Sequence, residues 1–124
     1  MSLFSRIIGN ASEVNNEELQ EEFSNILIDG EEIEEAFMLF RDLIVFTSKR
    51  LVLVDKQGIT GTKREYYTIP YRAIYEFSVE TSGHFDIDSE LTLFTAGNKT
   101  PRKIEFKSGD AIIKVQKLLA FHII

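Results

Sequence analysis

The sequence predicts a mainly β domain of the α+β class, a roll or partly open barrel of about seven short strands with a helix before it and a helix after it. Three observations carry that prediction. Two apolar runs, Leu43-Ile44-Val45-Phe46 and Leu51-Val52-Leu53-Val54, flank the polar Thr47-Ser48-Lys49-Arg50 and read as a hairpin. Turn-forming residues then recur roughly every 8 to 12 positions, the spacing of short consecutive strands. Before and after the strands, apolar residues recur at helical spacing instead.

The hairpin is apolar on both faces, which places it in the middle of a sheet covered on each side. Ahead of it, Leu3 to Ile8 has the pattern of a short amphipathic helical turn ending near Gly9-Asn10. A longer helix is expected from about Asn16 to Leu27: Asn15 is the N-cap, Glu18 completes a capping box, and Leu19, Phe23, Ile26 and Leu27 share one face. Asp29-Gly30-Glu31-Glu32 reads as a turn, and Ile33 to Arg41 as a strand joined to the hairpin by Arg41-Asp42. Asp55-Lys56-Gln57-Gly58 is a second turn, followed by a strand from Glu65 to Ile69 that stops at Pro70. Ile74 to Thr81 alternates, with Tyr75, Phe77, Val79 and Thr81 facing inward. Glu90 to Thr95 and Thr100 to Phe106 form a hairpin across Ala96-Gly97-Asn98-Lys99. The last helix is capped by Ser108 or Asp110 and buries Ile112, Val115, Leu119 and Ile123, leaving Lys114 and Lys117 on the wet side. These elements form one domain over residues 1–124: a helical extension at 1–28, the strands at 33–106 and a capping helix at 109–124.

A chain of 124 residues buries enough surface to fold without a disulfide or metal. It has no cysteine, which excludes thiol catalysis and cysteine-ligated zinc. No apolar run approaches the ~18 residues of a membrane span, and MSLFSRIIGN is too short in its apolar part for a signal peptide, so a cytoplasmic protein is expected. The net charge of -6 is unevenly spread: residues 1–40 hold ten acids and one base, giving -9, and residues 41–124 hold ten acids and thirteen bases, giving +3. That acidity argues against nucleic acid as a partner, because phosphate binding needs a basic face.

The order of several short segments resembles the bacterial pleckstrin-homology-like domain family. They are Phe46-Thr47-Ser48-Lys49-Arg50-Leu51, Asp55-Lys56-Gln57-Gly58-Ile59-Thr60-Gly61, Ile69-Pro70-Tyr71, and Phe77-Ser78-Val79-Glu80-Thr81 through Phe85-Asp86-Ile87-Asp88-Ser89-Glu90-Leu91. The resemblance covers nearly the whole chain. It implies a PH-like roll of two near-orthogonal antiparallel sheets with about seven strands, closed by a C-terminal helix. It also implies homo-oligomeric rings, with five subunits as the expected number. Eukaryotic pleckstrin homology domains that bind phosphoinositides use a basic loop between their first two strands. Here that connection is Arg41-Asp42, too short and too nearly neutral to cradle a headgroup, which disfavours membrane lipid.

Signals for chemistry are few. There is no GxSxG elbow and no glycine-rich phosphate loop, and neither a cofactor, a catalytic set nor a metal site is expected. His84, Asp86 and Asp88 are the one place where histidine and acids cluster, and turn capping is the expected use of those acids. Lys49, Arg50, Lys56, Lys63 and Arg64 are the candidate anion patch, and Leu3, Phe4, Ile7 and Ile8 are candidate oligomer contacts. The sequence therefore suggests a non-enzymatic module that assembles with itself and presents a surface to another protein or peptide. The alternative is binding of an anionic lipid or small anionic ligand at the basic loops.

Overall fold

The computed structural model describes residues 7–9, 16–39, 42–57, 63–81, 88–106 and 109–124. The chain falls into two compact units, residues 1–68 and 69–124.

The first unit is built on the predicted hairpin. Strands β1 (Ile7–Gly9), β2 (Ile33–Met38), β3 (Leu43–Thr47), β4 (Arg50–Gln57) and β5 (Lys63–Pro70) lie side by side in that order. All five residues of β3 are buried, as a central strand with two apolar faces requires. The antiparallel register aligns Ala36, Val45 and Val52 on one face and Phe37, Ile44 and Leu53 on the other. Helix α1 (Asn16–Phe23) covers the first face, packing Leu19 and Phe23 against Ile33, Ala36, Leu43, Val45, Val52 and Val54. On the second face Phe37 and Phe46 meet edge to face with ring centroids 5.9 Å apart, and both are fully buried.

The first unit departs from expectation in five places. Ile7–Gly9 is a strand, pairing in parallel with Ala36–Met38, where a helical turn was predicted. Helix α1 stops at Phe23 and passes into a turn in which the amides of Ile26 and Leu27 both donate to the Phe23 carbonyl, at 2.9 Å each. Ile26 and Leu27 still pack on the same cluster, so the apolar pattern was a sign of burial and not of continued helix. Strand β2 ends at Met38, where the Leu39 amide bonds the Asp42 carbonyl at 2.8 Å, and β4 runs on through Asp55-Lys56-Gln57 instead of turning. Strand β5 starts at Lys63 and includes Pro70. Pro70 is tolerated because it is the strand's last residue and the N-cap of a single 3-10 turn, Tyr71–Ala73.

The second unit is an antiparallel sheet of β6 (Ile74–Thr81), β7 (Ser89–Thr95) and β8 (Arg102–Phe106), with helix α2 (Gly109–Ile123) packed on it. Leu91, Leu93, Ile104 and Phe106 of the sheet are buried, as are Ala111, Ile112, Val115 and Leu119 of the helix. Asp110 lies inside the helix, so it is not the cap, and Ser108 lies outside the described residues. Tyr75 was expected to face inward and is 64% exposed. The cause is a register break between Ile74 and Glu76, a bulge that interrupts the two-residue alternation.

Phe23→Ala removes the largest side chain joining α1 to its sheet. Chemical denaturation should show a loss of about 3–5 kcal/mol, against less than about 0.5 kcal/mol for Gln20→Ala on the helix's exposed side.

Candidate functional site

The strongest polar arrangement lies at the β3–β4 turn. Glu31 ends the loop after α1, and its side chain is wholly buried. Its carboxylate accepts from Arg50 Nε at 2.8 Å, Arg50 Nη2 at 3.0 Å, the Thr47 hydroxyl at 2.6 Å and the Ile28 amide at 3.1 Å. Four donors fill the four acceptor positions of one carboxylate. Burial alone would raise the Glu31 pKa, but the bonds from Arg50, Thr47 and Ile28 outweigh it and hold the pKa down at about 2. Arg50 also donates to the Ile26 carbonyl at 2.6 Å and to Thr68 Oγ1 at 3.2 Å.

The candidate anion patch must be read against those bonds. Four of the five N–H groups of Arg50 are engaged within its own unit. Arg64 donates to Glu22 Oε2 at 2.6 Å, and Tyr66 donates to the same oxygen at 2.6 Å, so these two β5 side chains clasp α1. Lys49 and Lys63 are exposed, and the Lys56 side chain lies outside the described residues. Of the five cations, Arg50 and Arg64 are paired to carboxylates of their own chain. Among the candidate oligomer contacts, Leu3 and Phe4 lie outside the described residues, and Ile7 and Ile8 have their backbone in β1 beside β2. His84 and Asp86 also lie outside them. Among the described residues no group of three His, Cys, Asp or Glu side chains is placed to hold a metal.

The second unit carries two surfaces that the sequence reading missed. On the outward side of α2, Phe121 is 76% exposed and Ile124 96% exposed, with Ile113, Lys114 and Lys117 along the same side. On the sheet, the register sets Glu80 opposite Glu90 and Glu90 opposite Glu105, one unbroken row of carboxylates across three strands. This row borders an open cleft of about 380 Å³ that Thr81, Asp88 and Ser89 also line. Four residues along β7 from Glu90, Phe94 meets the exposed Tyr75 with ring centroids 6.4 Å apart. Alternation along each single strand was visible in the sequence. The row across strands was not, because it depends on a register that the sequence does not display.

Two sheets and a C-terminal helix, in a mainly β chain, define a pleckstrin-homology-like protein. The family model "Bacterial PH domain" matches residues 2–123, and the chain belongs to that family. It is 51% identical over 121 residues to "Uncharacterized protein YjqA" of Bacillus subtilis (strain 168), covering 97% of each chain. It is also similar to the crystal structure of a pleckstrin homology domain from Shewanella amazonensis SB2B, with 50% identity, a TM-score of 0.79 and 94% of each chain covered. A DUF1696 family protein with a pleckstrin-homology domain from Shewanella loihica PV-4 is 46% identical, with a TM-score of 0.81 over 94% of this chain and 99% of that one. No helix among the described residues is long and apolar enough to cross a membrane.

The Glu31 cluster sets a pH dependence. Glu31 has a lower pKa folded than its ordinary 4.5, so its contribution is complete above that value and is lost as pH falls through about 2. The interval corresponds to roughly 3 kcal/mol. Acid titration of stability should show this loss in the wild type. Glu31→Gln should lower stability at pH 7 by about 3 kcal/mol and flatten the dependence below pH 4.5.

Proposed function

We propose that this protein is a non-enzymatic interaction module that assembles with copies of itself and offers a surface to a protein or peptide. The observation that carries this reading is the exposure of Phe121, Ile124 and Tyr75, at 76%, 96% and 64%, beside charged side chains. Large apolar groups exposed beside charge, here on two separate faces, are the usual mark of protein interfaces. The uneven charge of the chain supports the same reading. Opposite charges held in different parts of one molecule favour contact between unlike surfaces of two copies, the kind of interface from which rings are built. Helix α1 is not an arm that reaches to a neighbour, since Leu19 and Phe23 pack into its own sheet and Glu22 bonds Arg64 and Tyr66. Binding of an anion at the basic loops draws less support, because Arg50 and Arg64 already hold carboxylates.

Light scattering coupled to size exclusion tests the proposal directly. The native mass should be a discrete multiple of 14.2 kDa at low salt and should shift toward 14.2 kDa at high salt, as screening weakens the charged contacts. A mass of 14.2 kDa in both conditions would remove the self-assembly part. Sedimentation with anionic phospholipid vesicles should leave the protein in the supernatant; a salt-sensitive pellet would favour the lipid alternative instead.

A further inference from the structure

We propose that the outward face of α2 in one copy docks on the outward face of the β6–β7–β8 sheet of a second copy. This rests on the self-assembly reading above and names the surfaces through which assembly proceeds.

The helix face is basic and apolar. At 100° per residue, Ile113, Lys114, Lys117, Phe121 and Ile124 fall within one arc of about 100°, and helix α2 holds two lysines against one acid, Asp110 in its first turn. The sheet face is acidic and aromatic. Glu80, Glu90 and Glu105 stand directly opposite one another in register, on strands about 4.8 Å apart, where like charges repel. Lys103 is the single cation on the outward side of those three strands, and Glu76 adds a fourth acid. Cations brought against this row would relieve the repulsion.

The order and spacing of the two faces also match. Four residues of strand put the Phe94–Tyr75 pair about 13 Å from Glu90. Along the helix, Phe121 lies about 10 Å and Ile124 about 15 Å beyond Lys114. With Lys114 and Lys117 over the carboxylate row, Phe121 and Ile124 reach the exposed Tyr75 and the half-buried Phe94 beside it. One chain cannot close this contact on itself: α2 packs on the sheet's buried side, with Leu91, Leu93, Ile104 and Phe106, so the two exposed faces look in opposite directions. The contact is therefore heterologous and runs from copy to copy.

Two other pairings between copies fit less well. Two α2 helices packed on each other would set Lys114 and Lys117 against their own counterparts. Helix α1 of a second copy offers exposed Glu17, Glu18 and Glu21, but its exposed side carries no apolar residue for Phe121 and Ile124.

Complementary charge reversal provides the test, with native mass as the readout and circular dichroism confirming that each variant folds. One variant carries Lys114→Glu and Lys117→Glu, and the other carries Glu80→Lys and Glu90→Lys. Each alone should run at 14.2 kDa under conditions where the wild type is a multiple of it. Mixed in equal amounts, the two should again form species heavier than 14.2 kDa, because each reversed face then meets its opposite. If the lysine variant keeps the wild-type mass, or if the mixture stays monomeric, the proposed contact is wrong while self-assembly stands. A wild type that is itself monomeric overturns both.

Discussion

The buried carboxylate of Glu31 is the constraint on which the first unit depends. A charge with no solvent exposure persists only where donors replace its water, and here they come from three places in the sequence: the Ile28 amide, the Thr47 hydroxyl and the Arg50 guanidinium, which also donates to the Ile26 carbonyl. The carboxylate therefore ties the segment after α1 to the β3–β4 turn, and Arg50 extends the tie to Thr68 in β5. The central hairpin takes its register from this turn. The Lys49 and Arg50 amides both donate to Thr47 Oγ1, at 3.1 and 2.9 Å, while that hydroxyl donates to Glu31. Polar bonding at one end and apolar packing of Val45 and Val52 along the strands thus specify the same alignment.

That arrangement also decides which charges remain for function. Arg50 and Arg64 carry the density of positive charge that makes the basic loops look like an anion site, yet each neutralises a glutamate of its own unit. Their role is to place α1 and its following loop on the sheet. The charges left exposed in the second unit are arranged differently, with cations on a helix and anions on a sheet, each next to exposed aromatic or aliphatic groups. Such surfaces contribute little within one chain and gain by burial against another.

Much of the fold was legible because short-range chemistry is local. The two runs at Leu43–Phe46 and Leu51–Val54, their polar separator and the helical stripe Ile112, Val115 and Leu119 all appear where burial finds them. Boundaries were less legible, since they rest on single hydrogen bonds. Helix α1 gives way to a turn before Ile26 and Leu27, and β2 gives way at Met38 to a turn closed by the Leu39 amide on the Asp42 carbonyl, although the apolar pattern continues past the first point. Ile7–Gly9 became a strand because β2 offered an edge to pair with, which no residue in the segment itself announces.

By itself, the sequence determined a mainly β chain with a doubly apolar central hairpin, a final amphipathic helix and a marked separation of charge. These follow from residue type and periodicity, which act within a few positions. Only the tertiary structure decided that Glu31 is buried beneath Arg50, that a bulge turns Tyr75 outward, and that Glu80, Glu90 and Glu105 form one row. Each of these joins residues through strand register or through contacts far apart in the chain, and a one-residue change in register would undo every one of them.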